Sequence, residues 1–394
     1  SHAINHDDLD QILILLSQGT NINQRRIKDG ATALIIALNK NRFDIAQKLI
    51  NKGADVNLAT YDRTTTIFVA VENNNIPLVQ LLLENGANPN AYNFAGQPIL
   101  VMPLLRKQSD LRKVLIASGA DLLFAQDFIN AKLLGHMYEL VGNATIVAPD
   151  NRFVEVDFEG FYLEVTIGII AESLLQFQNH FAARHLRRYA GIAQYIVQVL
   201  QRGAALIKFQ QYRTDLRAHQ ATIQQLLQQE PVLIPVGYEG HAITFLKWGE
   251  WWVKCDRRED QRLYDHVVFY RIKQPDNVTA EMLASLIYVK QSDQFINEAL
   301  DERLGLVPVT ELKVEAQISG NCSWANVEAA IPALFYLILA MNNPQETNTT
   351  YFKTLALQFF HRFRDWNKER ALHLCIKRFQ EGDLLRKATQ AEML

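Results

Sequence analysis

The chain has 394 residues, of which 48% are apolar and 21% charged, and its formal net charge is −2. This composition is ordinary for a globular protein of two or three domains, and the near-neutral charge gives no indication of nucleic acid or an anionic membrane as a partner. Three cysteines, Cys255, Cys322 and Cys375, are too few for a disulfide framework and fit a reducing compartment.

No segment of the sequence predicts insertion into a membrane. A basic stretch followed by an apolar core does not open the chain, so an N-terminal secretion signal is not expected. The longest apolar run, Ala329 to Met341, has 13 residues and contains Pro332, whereas a spanning helix needs about 20 residues. We therefore expect a soluble protein.

The first 125 residues repeat with a period close to 33. Gly19, Gly53, Gly86 and Gly119 are separated by 34, 33 and 33 residues, and an amphipathic helical segment precedes each of them. Two short helices per period and a closing glycine resemble the ankyrin repeat, and Asp29-Gly30-Ala31-Thr32-Ala33-Leu34 follows the opening phrase of that family. We count four repeats over residues 1–125, the first of them incomplete.

The resemblance to ankyrin repeats implies how this region works. The closing glycines are expected to supply positive φ at the helix ends, and the stacked repeats to form an α-helical solenoid with a concave face that binds a protein partner. The alternative is a scaffold that only supports the rest of the chain. Pro103 is expected to distort the last repeat, and Asn57 and Asn90 are candidates for hydroxylation by host enzymes, as the family implies.

Residues 126–230 are predicted to be a linking strand and a helical subdomain. Val154, Val156 and Phe158 alternate with acidic residues, which is typical of a half-exposed strand. A locally basic stretch follows, and we interpret it as solvated surface, so no direct contact with nucleic acid is expected. Strand patterns return after residue 231, and Thr279 is predicted to cap a helix that runs to Leu300.

A predicted hairpin brings together a histidine and an aspartate. His241 opens one strand and Asp256 closes the next, with the turn near Trp248 and Gly249. In an antiparallel hairpin these two ends are neighbours, so the carboxylate can orient the imidazole and stabilise its charged form.

Cys322 is the candidate nucleophile. It follows a polar turn and precedes a long apolar helix, and a thiol at a helix start beside an imidazolium favours the thiolate. Gln317, five residues earlier, can donate its side-chain amide to a developing oxyanion. Each of the four residues also has a purely structural interpretation: a core histidine, a turn aspartate, a solvating glutamine and an inert cysteine.

The order His241, Asp256, Gln317, Cys322 resembles that of the ubiquitin-like-protein proteases and their acetyltransferase relatives. The papain family itself begins with the cysteine. The resemblance implies an α+β cysteine-protease domain of the papain-like superfamily over residues 231–345, with extra C-terminal helices over 346–394 packing on that core. The sequence departs from the family pattern at Ala242, where the family has tryptophan, and Asp-Cys-Gly does not surround Cys322.

Ankyrin repeats ahead of such a domain resemble the type IV effectors of Legionella. That resemblance implies secretion into a host cell, work in its cytoplasm or nucleus, and a host protein as partner. The predicted activity is hydrolysis of a peptide or isopeptide bond at Cys322, and the alternative is a catalytically silent interaction scaffold that interferes with a host complex. No glycine-rich phosphate motif or zinc-ligand spacing is present, so neither a cofactor nor a metal is expected.

Overall fold

The computed structural model describes residues 9–213, 216–238, 240–258, 266–318, 320–346 and 348–394. The first eight residues of the predicted first repeat lie outside this description. The chain divides into two compact units. The first contains the described residues up to Ala131 together with Asn143–Asp157 and Cys375–Leu394, and the second contains Lys132–Gly142 and Phe158–Leu374.

Short helices build most of the first unit. They are α1 Leu9–Ser17, α2 Ala33–Asn39, α3 Phe43–Asn51, α4 Thr66–Glu72, α5 Ile76–Glu84, α6 Val101–Leu105 and α7 Ser109–Ala117. Helices of this length are marginal in isolation, so their stability depends on packing between repeats. Leu49, Leu82 and Leu115 occupy equivalent positions 33 residues apart and are completely buried. This is the core of a stacked repeat array.

The turns of the repeats use the left-handed backbone region. The four closing glycines have φ between +84° and +96°, as predicted. Arg63 stands where the adjacent repeats have Gly30 and Gly96, and it too has a positive φ, of +62°. The turn therefore keeps its geometry although the glycine is missing. In the fourth repeat α6 is only five residues long and contains Pro103, which confirms the predicted distortion.

A β-hairpin and a C-terminal helix complete the first unit. They are β1 Asn143–Val147, β2 Phe153–Asp157 and α17 Leu384–Met393. The two strands pair antiparallel. Val154 and Val156 are buried while their neighbours along the strand are exposed, so the predicted alternation is confirmed.

A five-stranded antiparallel sheet lies at the centre of the second unit. Its strands follow one another in chain order, as β3 Val232–Tyr238, β4 His241–Trp248, β5 Trp251–Cys255, β6 Val267–Ile272 and β7 Leu306–Leu312. The helices that contribute to this unit are α8 Leu122–Tyr138, α9 Leu163–Asn179, α10 Ala190–Ile207, α11 Gln220–Leu227, α12 Ala280–Tyr288, α13 Leu300–Leu304, α14 Cys322–Glu328, α15 Ala330–Asn342 and α16 Thr350–Glu381.

Both faces of this sheet are buried. Leu246, Val253 and Phe269 belong to one core, which the apolar side chains of α9, α10, α15 and α16 complete. Phe245 and Trp252, whose side chains alternate with those, belong to a second core with residues of α12 and α13. All strand pairs of this sheet are antiparallel and helices cover its faces, so the unit has an α+β architecture.

The apolar helical segment after Cys322 is longer than the sequence suggested. The described residues contain one helical stretch, Cys322–Asn342, that is long and apolar enough to cross a bilayer, but 83% of its most apolar window is buried inside the protein. It is a core helix of the second unit. Its interruption at Ala329 follows from Pro332, which has no N–H and crowds the carbonyl group four residues earlier.

The helix predicted from Thr279 to Leu300 is wrong in its extent. Thr279 does cap α12, accepting a hydrogen bond from the N–H of Met282. The helix ends at Tyr288 because Val289 is extended, and the Ser292 hydroxyl then caps a new helical turn by accepting from the N–H of Phe295.

Candidate active site

His241 and Asp256 lie side by side at one end of the sheet. β4 begins at His241, β5 ends one residue before Asp256, and the two strands pair antiparallel. Nε2 of His241 is 2.9 Å from Oδ1 of Asp256, and their side chains are only 14% and 10% exposed. The predicted hairpin is therefore confirmed, and the carboxylate fixes the orientation of the imidazole.

Cys322 meets the same imidazole from the start of α14. Its thiol is half-buried and close enough to His241 for the imidazole to lower the pKa of the thiol, and the backbone N–H groups of Ala242 and Ser323 lower that pKa further. Because Asp256 occupies Nε2, Nδ1 is the ring nitrogen left to exchange a proton with the thiol. The structure thus joins a strand end, a loop and a helix start at one point.

The charges at this point favour a thiolate–imidazolium pair. Burial alone would raise the pKa of the Cys322 thiol, but the hydrogen bond and the charge of His241 lower it below its ordinary value. Burial alone would lower the pKa of His241, but its hydrogen bonds with Asp256 and Cys322 raise it to about 9. Burial also opposes ionisation of Asp256, and the contact with His241 still lowers the pKa of that carboxyl.

Gln317 is tied to the same group of residues through the backbone. Its N–H donates to the carbonyl oxygen of Arg257, the residue after Asp256, at 2.8 Å. The side chain is half-buried, and its Oε1 has no hydrogen-bond partner among the residues that the structure describes. The amide is therefore not engaged by the protein through its oxygen. The structure brings His241 and Asp256 into direct contact, places Cys322 close enough to His241 for each to shift the pKa of the other, and bonds Gln317 to Arg257, the residue after Asp256.

Comparison with known proteins identifies the repeats and the family of the whole chain. An ankyrin-repeat family model matches residues 1–93 with three copies of the repeat. A solved structure described as the Legionella effector AnkH is 34% identical, with a TM-score of 0.79, and the match covers 100% of this chain and 83% of that one. The chain belongs to the family of AnkH-like ankyrin effectors. No curated protein sequence matches it.

Asn326 is a residue of this site that was not predicted from the sequence. It follows Cys322 by one helical turn and is only 1% exposed. Its Oδ1 accepts from the N–H of Arg257 and its Nδ2 donates to the carbonyl oxygen of Ala242, both at 2.6 Å. A polar residue one turn after the candidate nucleophile, at the start of an apolar helix, was the available signal.

The loop before Cys322 is held from its other side by the end of α8. Asn321 exchanges two hydrogen bonds with His136, between its Oδ1 and the ring Nδ1 at 2.6 Å and from its Nδ2 to the backbone oxygen at 3.1 Å. Trp324 stacks on the same imidazole. Burial lowers the pKa of His136 to about 4, so the ring is neutral near pH 7.

Gly320, in the same loop, leaves no room for a larger residue. Its φ is +83°, and a Cβ built at this position would lie 2.4 Å from the Glu159 side chain. The Gly320 carbonyl accepts from the N–H of Gly160 at 3.0 Å. Lys132, which is buried, donates to the carbonyl oxygens of both Glu159 and Gly160. The loop that leads to the nucleophile is therefore fixed on two sides.

A buried ion cluster lies behind the histidine–aspartate pair. Arg257 has a side chain with no exposure, and its guanidinium bonds the Glu139 carboxylate at 2.9 Å, which also bonds Arg364 at 3.1 Å. Arg364 reaches Glu328, the last residue of α14, at 3.3 Å. Glu139 has a φ of +54°, in the left-handed region, at the end of α8, where the Leu140 N–H donates to the Gly135 carbonyl at 2.8 Å. The cluster links the segment after Asp256 to the helix that carries Cys322.

Asn57 and Asn90, the predicted hydroxylation sites, have a structural role in the repeats. The Asn57 amide donates to the carbonyl of Gly86 at 2.8 Å and accepts from the N–H of Asn88 at 2.9 Å. Asn90 makes the corresponding bonds to Gly119 at 2.9 Å and Asp121 at 2.7 Å. Each therefore bonds the next repeat.

Proposed function

We propose that this AnkH-like effector binds a host protein through its ankyrin repeats and carries a thiol hydrolase site in its second unit. One observation carries the enzymatic half: the His241 imidazole is held by Asp256 at 2.9 Å and lies close enough to Cys322 to lower the pKa of its thiol. Two such partners on opposite sides of an imidazole are what a cysteine nucleophile requires for activation. The order of these residues along the chain supports a cysteine-protease domain of the papain-like superfamily.

The proposed reaction begins with attack of the Cys322 thiolate on a carbonyl carbon. The carbonyl oxygen becomes an oxyanion and receives hydrogen bonds from the Cys322 N–H and the Gln317 side-chain amide. Protonated His241 then gives its proton to the leaving amine as the carbon–nitrogen bond breaks, which leaves an acyl group on the sulfur. Water, deprotonated by His241, attacks this acyl group and releases a carboxylic acid and the free thiol.

The scissile bond in this proposal is a peptide or an isopeptide bond. The same acyl-cysteine intermediate also permits transfer of the acyl group to an amine or hydroxyl in place of water. Ala242 stands where the protease family has tryptophan, so the substrate contacts next to His241 differ from the family pattern.

Alkylation kinetics test the enzymatic half. Iodoacetamide modification of Cys322, followed by mass spectrometry from pH 5 to pH 10, should show that the thiolate forms at lower pH than in an ordinary thiol of pKa about 8.5. His241→Ala should remove that low-pH reactivity, because the charge that lowers the thiol pKa is lost. Exposed His361→Ala is the matched control and should leave it unchanged.

A second outcome would support the scaffold interpretation. If Cys322 titrates like an ordinary thiol and His241→Ala does not alter its reactivity, the second unit is catalytically silent, and the protein acts only by binding.

The binding half depends on an exposed apolar row in the repeats. Ile27, Tyr61 and Phe94 stand 34 and 33 residues apart, and are 75%, 60% and 77% exposed. The N–H of Tyr61 donates to the carbonyl of Asp29, and the N–H of Phe94 donates to that of Asp62, so the successive turns lie side by side. Exposed apolar residues in a row are typical of a protein-binding surface. We infer a host protein as the partner, reached after type IV secretion, in the host cytoplasm or nucleus.

Capture from host lysate tests this surface. Cys322→Ala protein should retain a bound partner and any trapped substrate, and Tyr61→Ala with Phe94→Ala should release the partner while the second unit stays folded. Ile116→Ala, at a position 41% exposed in the same unit, is the matched control. Equal capture by all three variants would assign the binding to another surface.

A further inference from the structure

The Asn326 side chain connects three separate segments of the candidate site. It lies on α14, its oxygen binds the N–H of Arg257, 69 residues away, and its nitrogen binds the carbonyl of Ala242, 84 residues away. Both of its polar ends are thus used, and the residue is almost completely buried. An asparagine is the residue that can donate and accept in this way without adding a charge.

The segments joined in this way carry the reacting groups. Ala242 follows His241 directly, and its own N–H helps to lower the pKa of the Cys322 thiol. Arg257 follows Asp256, and its carbonyl oxygen holds the N–H of Gln317. The Asn326 side chain therefore bonds the residues that follow His241 and Asp256. One of these two residues, Arg257, also holds Gln317.

We propose that Asn326 is a positioning residue, which keeps the start of β4 and the segment after Asp256 in register with the helix that carries Cys322. This inference rests on the proposed thiol site and identifies what holds that site together. Without the amide, the Ala242 carbonyl and the Arg257 N–H lose their partner inside the protein, and each is free to move toward another. The Ala242 N–H and the His241 ring then move away from the position in which they lower the pKa of the Cys322 thiol.

Two variants of the full chain test this role through the titration of Cys322. Asn326→Ala removes the amide, and Asn326→Leu removes both hydrogen bonds while keeping a side chain of similar volume. In each variant the alkylation profile of Cys322 should move to higher pH by about one unit or more, so that the iodoacetamide rate at pH 6 falls about tenfold. The rate at pH 10, where the thiol is ionised in any case, should remain that of the wild type.

The matched control is Asn367→Ala. Asn367 is also 1% exposed and in the same unit, but its side-chain oxygen accepts from Arg370 at 2.9 Å and touches none of the site residues. Its substitution should leave the titration of Cys322 unchanged. Folding of every variant can be followed by tryptophan fluorescence, since all five tryptophans belong to the second unit.

The outcomes separate this inference from the proposed function. A wild-type Cys322 that titrates like an ordinary thiol would contradict the thiol site itself. If the wild-type Cys322 thiol ionises at lower pH than an ordinary thiol, and the folded Asn326 variants show the same alkylation profile, only the positioning role would be overturned. Loss of the folded fluorescence signal in both variants would also overturn it, because Asn326 would then serve the fold and not the site.

Discussion

Asparagine side chains join separate backbone segments in both units, over very different distances along the chain. In the repeats, Asn90 bonds residues 29 and 31 positions away, and Asn57 does the same one period earlier. In the second unit, Asn326 bonds residues 69 and 84 positions away, and no other described side chain of that unit makes the same two contacts. The first arrangement is redundant, since Asn57 and Asn90 make the same pair of bonds in successive repeats. The second has no substitute, so single substitutions should be costlier there.

The largest difference between the two units, in the unfolding free energy lost on substitution, is expected for glutamates that pair with arginine. Glu139→Ala leaves Arg257 and Arg364 buried without the carboxylate they share, and breaking such a buried pair costs about 3–5 kcal/mol of unfolding free energy. Glu72→Ala removes the partner of Arg106 between two repeats, where the glutamate is 30% exposed, and should cost about 1 kcal/mol.

Urea unfolding checks this pair of substitutions. Tryptophan fluorescence follows the second unit alone, and hydrogen exchange of peptides from residues 99–119 follows the fourth repeat. Equal losses for Glu139→Ala and Glu72→Ala would mean that burial of the cluster does not distinguish the two units.

A smaller effect is expected from acid. The pKa of His136 is about 4 in the folded protein against an ordinary value of 6.5, so the unfolded chain takes up a proton near pH 6.5 that the folded chain refuses. Stability of the second unit must therefore fall as pH falls from 6.5 to 4, by about 2–3 kcal/mol at pH 4.5. His136→Gln should remove this part of the pH dependence in urea unfolding followed by tryptophan fluorescence.

The first unit serves as a control for the predicted loss of stability in acid. The described part of the first unit contains no histidine, so its hydrogen exchange should lack this titration. Exposed His373→Gln in the second unit is the control. A wild-type acid profile in His136→Gln would show that other groups cause the loss.

The repeats should respond evenly to loss of their asparagines. Asn57→Ala and Asn90→Ala each remove one donated and one accepted hydrogen bond of nearly the same lengths. Each should cost the first unit about 1–2 kcal/mol, measured by hydrogen exchange of the following turn. Asn85→Ala is the control, because that amide bonds only the Leu81 carbonyl of its own helix. Clearly unequal costs for the two would argue against redundancy among the repeats.

The same distinction explains what the sequence could predict. Gly53 and Gly86 reveal the repeat because their structural neighbours recur within one period. The hairpin that brings His241 and Asp256 together could be predicted because its turn lies between these two residues in the chain. Glu139 was not, since its partner Arg257 lies 118 residues away. The positive φ of Glu139 belongs to a local helix ending, in which the Leu140 N–H donates to the Gly135 carbonyl at 2.8 Å, but a glutamate gives no sequence signal for it, as a glycine would.

The smallest effect should be the same in both units, because it depends only on local chain. The Thr65 hydroxyl caps α4 by accepting from the N–H of Phe68, and the Thr279 hydroxyl caps α12 by accepting from the N–H of Met282. Alanine at either position leaves a helix N–H without its partner and should cost about 0.5–1 kcal/mol, while serine should restore most of the loss. Hydrogen exchange of the first turn of each helix measures both. If loss of the Thr279 cap cost several times more unfolding free energy than loss of the Thr65 cap, local contacts in the second unit would also be supporting distant ones. The contrast between the repeated contacts of the first unit and the unrepeated contacts of the second would then hold even for a single helical turn.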